Sequence, residues 1–140
     1  MPGGPVDPIC LIVAGIVRAT LPDAEFTLAW EHSVQKTRWE ERYVAMGPTL
    51  VLTQARVKGS GAGMEPAPSA VLRDGWWVWQ PQTTLEELRL ARSTYTRDYT
   101  LCSMHRCAEL DALVGPIADD SVLVIRPCPD DTADRSGGAR

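Results

Sequence analysis

FTLAWEHSVQKTRWEERYV, residues 26–44, reads as two amphipathic strands joined by a polar turn. Phe26, Leu28, Trp30, His32 and Val34 fall on one face, and Thr27, Ala29, Glu31, Ser33 and Gln35 on the other. That period of two is what a half-buried strand requires. Val34–Arg38 supplies the turn, and Trp39–Ala45 runs back with Trp39, Glu41 and Tyr43 sharing a face. His32 is in phase with the apolar residues, so it points inward, where a neutral imidazole needs a hydrogen-bond partner. Glu41 on the returning strand is the expected partner. Ser33 points the other way, so an intimate Ser33–His32 catalytic pair is not expected. Adjacent Glu40 and Glu41 also face opposite sides and cannot act as paired acid and base.

Working outward, the pattern repeats. Ile9–Val17 (ICLIVAGIV) reads as a first, fully apolar strand, and Leu50–Val57 as a third strand of the meander that begins at Phe26. Lys58–Pro68 (KGSGAGMEPAP) is a loop, Asp74-Gly75 a turn, and Trp76–Gln80 a short aromatic strand. The Trp76-Trp77-Val78-Trp79 cluster reads as core plus one exposed ring. Thr84–Ser93 fits a helical turn or a strand, Thr94–Cys102 a strand, and Cys107–Val114 contains one short helix. Ser121–Cys128 is the last strand. Short strands with regular turn signals predict an all-β fold, a small antiparallel barrel or sandwich of about seven to nine strands. Residues 1–8 are irregular, 9–128 form a single β domain, and 129–140 form a disordered tail.

Composition sets the class. A chain of 140 residues with 44% hydrophobic and 23% charged content is ordinary for one soluble globular domain. Its net charge of −4 disfavours a nucleic-acid partner. No stretch reaches the roughly 18 to 20 apolar residues of a membrane span, so no transmembrane segment of its own is expected. Ile9–Val17 has the length of a signal-peptide core, but no Lys or Arg precedes it, and a strand fits better.

Four cysteines carry the sharpest geometric expectation. Cys102 and Cys107 flank SMHR, the size of a common hairpin loop, which places them across a strand pair. Cys10 opens the first strand and Cys128 closes the last. If those strands pair antiparallel, position 10 meets 128, and 12 and 14 meet 126 and 124. Two disulfides in an oxidising compartment, four reduced thiols, or a zinc site that recruits His105 all fit this spacing. The looser C-x4-C spacing argues against zinc, so no metal site and no cofactor are assigned.

Gly59-Ser60-Gly61-Ala62-Gly63 resembles a phosphate cradle but lacks the GK[ST] ending of a nucleotide-binding loop, and Pro66 and Pro68 prevent a following helix. It is a tight loop whose amides are able to line an anion site.

Taken together, HSVQKTRWEERYV, VLTQARVKGSGAGMEP, LRDGWWVWQP, the LC-x4-C element and the terminal cysteine resemble a small uncharacterised bacterial family. Its members are encoded next to TAXI-type TRAP transporter permeases. The resemblance runs from Ile9 to Cys128, carried by His32, Ser33, Val34, Lys36, Trp39 and Glu41 and by Gly59, Ser60, Gly61, Gly63 and Met64. It implies a non-enzymatic accessory or small-ligand-binding module of a TRAP-type uptake system. The partner would be the membrane permease or its solute-binding protein, and the periplasm is favoured over the cytoplasm. Residues His32, Ser33, Lys36, Glu41, Gly59, Ser60, Gly61 and Gly63 are the expected ligand-binding set, suited to a small organic anion. The alternative is a small hydrolase or isomerase with His32 as general base and Gly59–Gly63 as anion holder. The lack of a nucleophile in register with His32 weighs against catalysis.

Overall fold

A computed structural model describes residues 8–31, 37–58, 67–94, 97–104, 106–117 and 121–129. The central pairing is the one predicted from Phe26–Val44. Strands β1 (Ile9–Val13), β2 (Ile16–Leu21), β3 (Glu25–Glu31) and β4 (Arg38–Met46) come first. β3 and β4 pair antiparallel with Phe26 opposite Tyr43, Leu28 opposite Glu41 and Trp30 opposite Trp39. β5 (Thr49–Lys58) extends the meander through a turn at Gly47 and Pro48, where Gly47 takes a φ of 62° that a Cβ would penalise.

The remaining elements are β6 (Val71–Arg73), β7 (Trp76–Trp79), β8 (Thr83–Leu85), β9 (Leu88–Ala91), β10 (Thr100–Ser103), β11 (Arg106–Glu109), α1 (Leu110–Val114) and β12 (Val122–Pro127). They form two antiparallel sheets. One has four strands in the order β2-β1-β12-β9, and the other has eight in the order β11-β10-β3-β4-β5-β7-β6, with β8 also on β5. The fold is thus all-β with one short helix near its C-terminal end, and it is a sandwich rather than a closed barrel. The strand count exceeds the expected seven to nine because Ile9–Val17 and Thr84–Ser93 each hold parts of two strands and β6 forms where none was expected.

The core lies between the sheets. Ile9, Leu11, Leu123 and Ile125 of the small sheet meet Phe26, Leu28, Tyr43, Leu50 and Leu101 of the large one, and Leu110 of α1 closes one side. Phe26 stacks on Tyr43 with ring centroids 5.2 Å apart. Each fully buried large side chain of this kind stabilises by about 1.5 to 3 kcal/mol.

Three expectations need correction. Ile9–Val17 is not one strand: Ala14 and Gly15 both adopt positive φ, 52° and 78°, and fold it into the β1–β2 hairpin. The all-apolar run concealed this because β2 is a sheet edge, where Ile16 and Val17 stay about half exposed (53% and 51%). The terminal strands pair with Cys10 opposite Arg126, not Cys128, and Ile12 opposite Val124. A two-residue slip keeps every side chain on its own face, so alternation cannot distinguish the registers. Cys128 lies one residue beyond β12 and donates its N–H to the Pro8 carbonyl at 2.9 Å. Thr94–Cys102 is a strand only from Thr100. Before it, Asp98 binds the backbone N–H of Tyr99 and of Asp111, both at 2.9 Å, and its side chain replaces a ladder.

The cysteines form two disulfides. Cys102 and Cys107 lie directly across β10 and β11 as expected, with Cα atoms 4.0 Å apart. Cys10 bridges diagonally to Cys128 over a Cα separation of 5.0 Å, joining the two ends of the domain across a sequence separation of 118. A closed loop of that length is worth at most about 5 kcal/mol in the chain-entropy account. The two pairs occupy different sheets and do not converge on a shared metal centre.

Candidate functional site

Strand β4 positions the described part of the candidate site. Its alternation sends Trp39, Glu41 and Tyr43 toward the core and Arg38, Glu40 and Arg42 to the outer face of the large sheet, and Glu40 and Glu41 part as expected. Glu41 stands opposite Leu28. Its carboxylate accepts a 2.6 Å hydrogen bond from the Tyr43 hydroxyl, its neighbour two residues along on the same face. His32, the partner expected for Glu41, lies outside the described residues, as do Ser33, Lys36, Gly59, Ser60, Gly61, Gly63 and His105. The irregular N-terminal segment and the disordered tail were also assigned mostly to residues outside them.

Burial raises the Glu41 carboxyl above its ordinary value of 4.5, and the Tyr43 hydrogen bond opposes this without cancelling it. Tyr43 moves the same way: burial, then the hydrogen bond and charge of Glu41, hold its hydroxyl far above the usual phenol range. Tyr99 is raised by burial and then by the charges of Glu41 and Asp98, so it belongs to the same electrostatic neighbourhood.

An aromatic cluster lies on the same side of the sheet. Trp30 stacks with Trp39 at 6.2 Å and receives Tyr99 edge-on at 5.8 Å, while Trp79 meets Trp39 edge-on at 6.0 Å. On the same face, the Thr37 hydroxyl and the Trp39 indole nitrogen are buried and have no hydrogen-bond partner among the described residues. An orphaned buried donor costs about 1 to 3 kcal/mol, so a native structure that retains two together needs a reason. The tryptophan strand divides between two surfaces. Trp79 joins the ring cluster, and Trp76 lies on the outer face with the Arg56 guanidinium 4.0 Å from its ring centroid.

Strand register brings Glu31, Arg38 and Lys58, the described residues that flank the two sequence motifs, to one end of the sandwich. Glu31 pairs with Arg38, Arg38 pairs with Lys58, and Lys58 pairs with Trp76. Residues 32–36 follow Glu31 and residues 59–66 follow Lys58, so both segments leave from neighbouring strand ends. Antiparallel pairing of β10 with β3 puts Tyr99 at that end as well. The Tyr43–Glu41 contact was legible from the two-residue spacing in EERY. Tyr99 was not, because it reaches Trp30 from a segment far along the chain.

Among the described residues no helix is long and apolar enough to cross a membrane. No curated protein and no solved structure matches the chain. Residues 26–110, more than half of the chain, match the family model described as Domain of unknown function (DUF1850), and the chain belongs to that family.

Proposed function

We propose that this protein is a non-enzymatic accessory module of a TRAP-type (TAXI) solute uptake system that binds a small organic anion at the Thr37–Tyr43 end of the sandwich. The observation that carries the reading is the juxtaposition of Glu31, Arg38 and Lys58 on adjacent strands. It brings the origins of the HSVQK and GSGAG segments together beside an inward row with two buried polar atoms that have no partner among the described residues. Backbone amides of a glycine-rich segment and the charge of Lys36 are suited to a carboxylate. The Tyr43 hydroxyl holds Glu41 in place, and burial raises its carboxyl above the ordinary value. His32, Ser33, Gly59, Ser60, Gly61 and Gly63 complete the proposed set.

The two disulfides are the chemistry of an oxidising compartment, which supports the periplasm and a partner in the permease or its solute-binding protein. Two measurements test the proposal. Affinity purification from membranes should recover the permease or its binding protein with this chain, and failure to recover either in membranes or detergent would count against the accessory role. In a thermal-shift screen of organic acids, a hit should stabilise the protein, and His32→Ala and Lys36→Ala should abolish the shift. An unchanged shift in both variants would remove this site.

A further inference from the structure

The outer face of the eight-stranded sheet carries a concavity, on the side opposite Glu41. It has a volume of about 320 Å³ and is lined by outward residues of β10, β3, β4 and β5. Register sets its floor: Cys102 pairs with Thr27, Thr27 with Arg42, and Arg42 with Gln54. Three hydrogen-bonding side chains therefore stand in one row, spaced by about 5 Å from strand to strand. Such a floor is held by the sheet itself, not by loops.

The three guanidiniums that β4 and β5 present on this face, Arg38, Arg42 and Arg56, are used differently. Arg38 and Arg56 both close on Glu40, at 3.0 and 2.7 Å, and Arg56 also lies over Trp76. Glu40 is only 16% exposed, so that group is fixed and its charge is satisfied. Arg42 is 48% exposed and makes one ion pair, from a terminal nitrogen to Glu25 at 2.7 Å. A guanidinium has five N–H donors, so most of those on Arg42 remain available. Beside it, the Thr27 hydroxyl and the Gln54 carboxamide have no side-chain hydrogen bond among the described residues. Glu25 offers a carboxylate oxygen that Arg42 does not use. The Cys102–Cys107 disulfide and Met104, exposed at the tip of its hairpin, add a polarisable apolar wall.

We propose that this concavity is a binding site for an α-amino acid with an aliphatic or thioether side chain. The carboxylate sits against Arg42 between Thr27 and Gln54, the ammonium group meets Glu25, and the side chain rests on Met104 and the disulfide. Arg is suited to the planar two-oxygen geometry of a carboxylate. The adjacent positive and negative walls match a zwitterion, whereas a simple anion would bring no cation to Glu25 and a simple amine would bring no carboxylate to Arg42.

Calorimetric titration of the intact, oxidised protein tests this with L-leucine and L-methionine, and with 4-methylpentanoate and isopentylamine as single-charge counterparts. L-leucine or L-methionine should bind at least about tenfold more tightly than either counterpart, and Arg42→Gln should weaken it by about tenfold or more. Gln54→Ala should weaken it in the same direction by less. Arg42 is solvent-facing, so its variant should keep its melting temperature. Glu41→Gln lies on the other face and should leave amino-acid binding unchanged, which separates this site from the one proposed above. The proposal is overturned if neither amino acid binds at millimolar concentration, if 4-methylpentanoate binds as tightly as L-leucine, or if a folded Arg42→Gln protein binds like the parent.

Discussion

Replacing Arg92 with methionine probes the most deeply buried ion pair among the described residues. Side-chain exposures are 2% for Arg92 and 7% for Asp98. The guanidinium donates to both Asp98 oxygens, at 3.3 and 2.9 Å, and to the Gly115 carbonyl at 3.1 Å. Asp98 also takes the backbone N–H groups of Tyr99 and Asp111. The pair thus ties the residue after β9 to the start of β10, and to both ends of α1. Methionine fills much of the same volume but leaves the carboxylate buried and unpaired, a change that costs about 3 to 5 kcal/mol. For 140 residues the unfolding entropy is about 0.3 kcal/mol/K, so the melting temperature should fall by about 10 to 17 °C. Thermal unfolding followed by circular dichroism measures this directly. Adding Asp98→Asn to Arg92→Met should recover about 1 to 2 kcal/mol, because it removes the uncompensated charge and keeps an acceptor for one backbone N–H. A single variant that loses less than about 1 kcal/mol would refute the reasoning. So would a double variant less stable than the single one, which would make the hydrogen bonds to Asp98 the dominant contribution.

Glu41→Gln should change how stability depends on pH. The folded carboxyl is raised, so its contribution is fully present below the ordinary value of 4.5 and is lost as pH rises through the higher folded value. The variant should remove that decline and be the more stable protein at neutral pH, and parallel denaturation profiles for the two proteins would contradict the burial argument. Removing the long-range bridge with Cys10→Ser/Cys128→Ser should cost at most about 5 kcal/mol, against about 2 kcal/mol for Cys102→Ser/Cys107→Ser. Urea titrations of the two variants showing the reverse order would mean that the closed loop length does not govern the effect. Ala14→Asn should stabilise the β1–β2 turn by about 1 kcal/mol, since Ala14 has a φ of 52° ahead of Gly15 and Asn-Gly suits such turns. A lower midpoint in the same titration would show that the side chain at position 14 has a role beyond the turn.

The inner and outer faces of the large sheet offer chemistry of different kinds. Glu41 is desolvated, shares its face with an aromatic cluster and accepts a hydrogen bond from the Tyr43 phenol. Glu40, its neighbour in sequence, is held between two guanidiniums on a wetter surface. One residue of strand separation is enough to give two carboxylates opposite environments, so a sequence motif that contains both says little about either until the faces are assigned.

Local chemistry determined the all-β class, the Phe26–Val44 strand pair, the separation of Glu40 from Glu41, the Asp74-Gly75 turn and the facing of Cys102 and Cys107. Each of these rests on side-chain period or on conformational preference within a few residues, which the chain carries with it. Tertiary structure alone decided the sandwich, the 10-to-126 register with its diagonal Cys10–Cys128 bridge, and the strand order that sets Arg38 beside Lys58. It also decided that Tyr99 would reach Trp30 and that Arg42 would remain open while Arg56 was taken by Glu40 and Trp76. These depend on which surfaces meet and which registers fill the core, and alternation is indifferent to a slip of two residues or to the choice of neighbouring strand. FTLAWEHSVQKTRWEERYV therefore fixes the hairpin, and the packing of the rest of the chain around it fixes what its charged residues are able to bind.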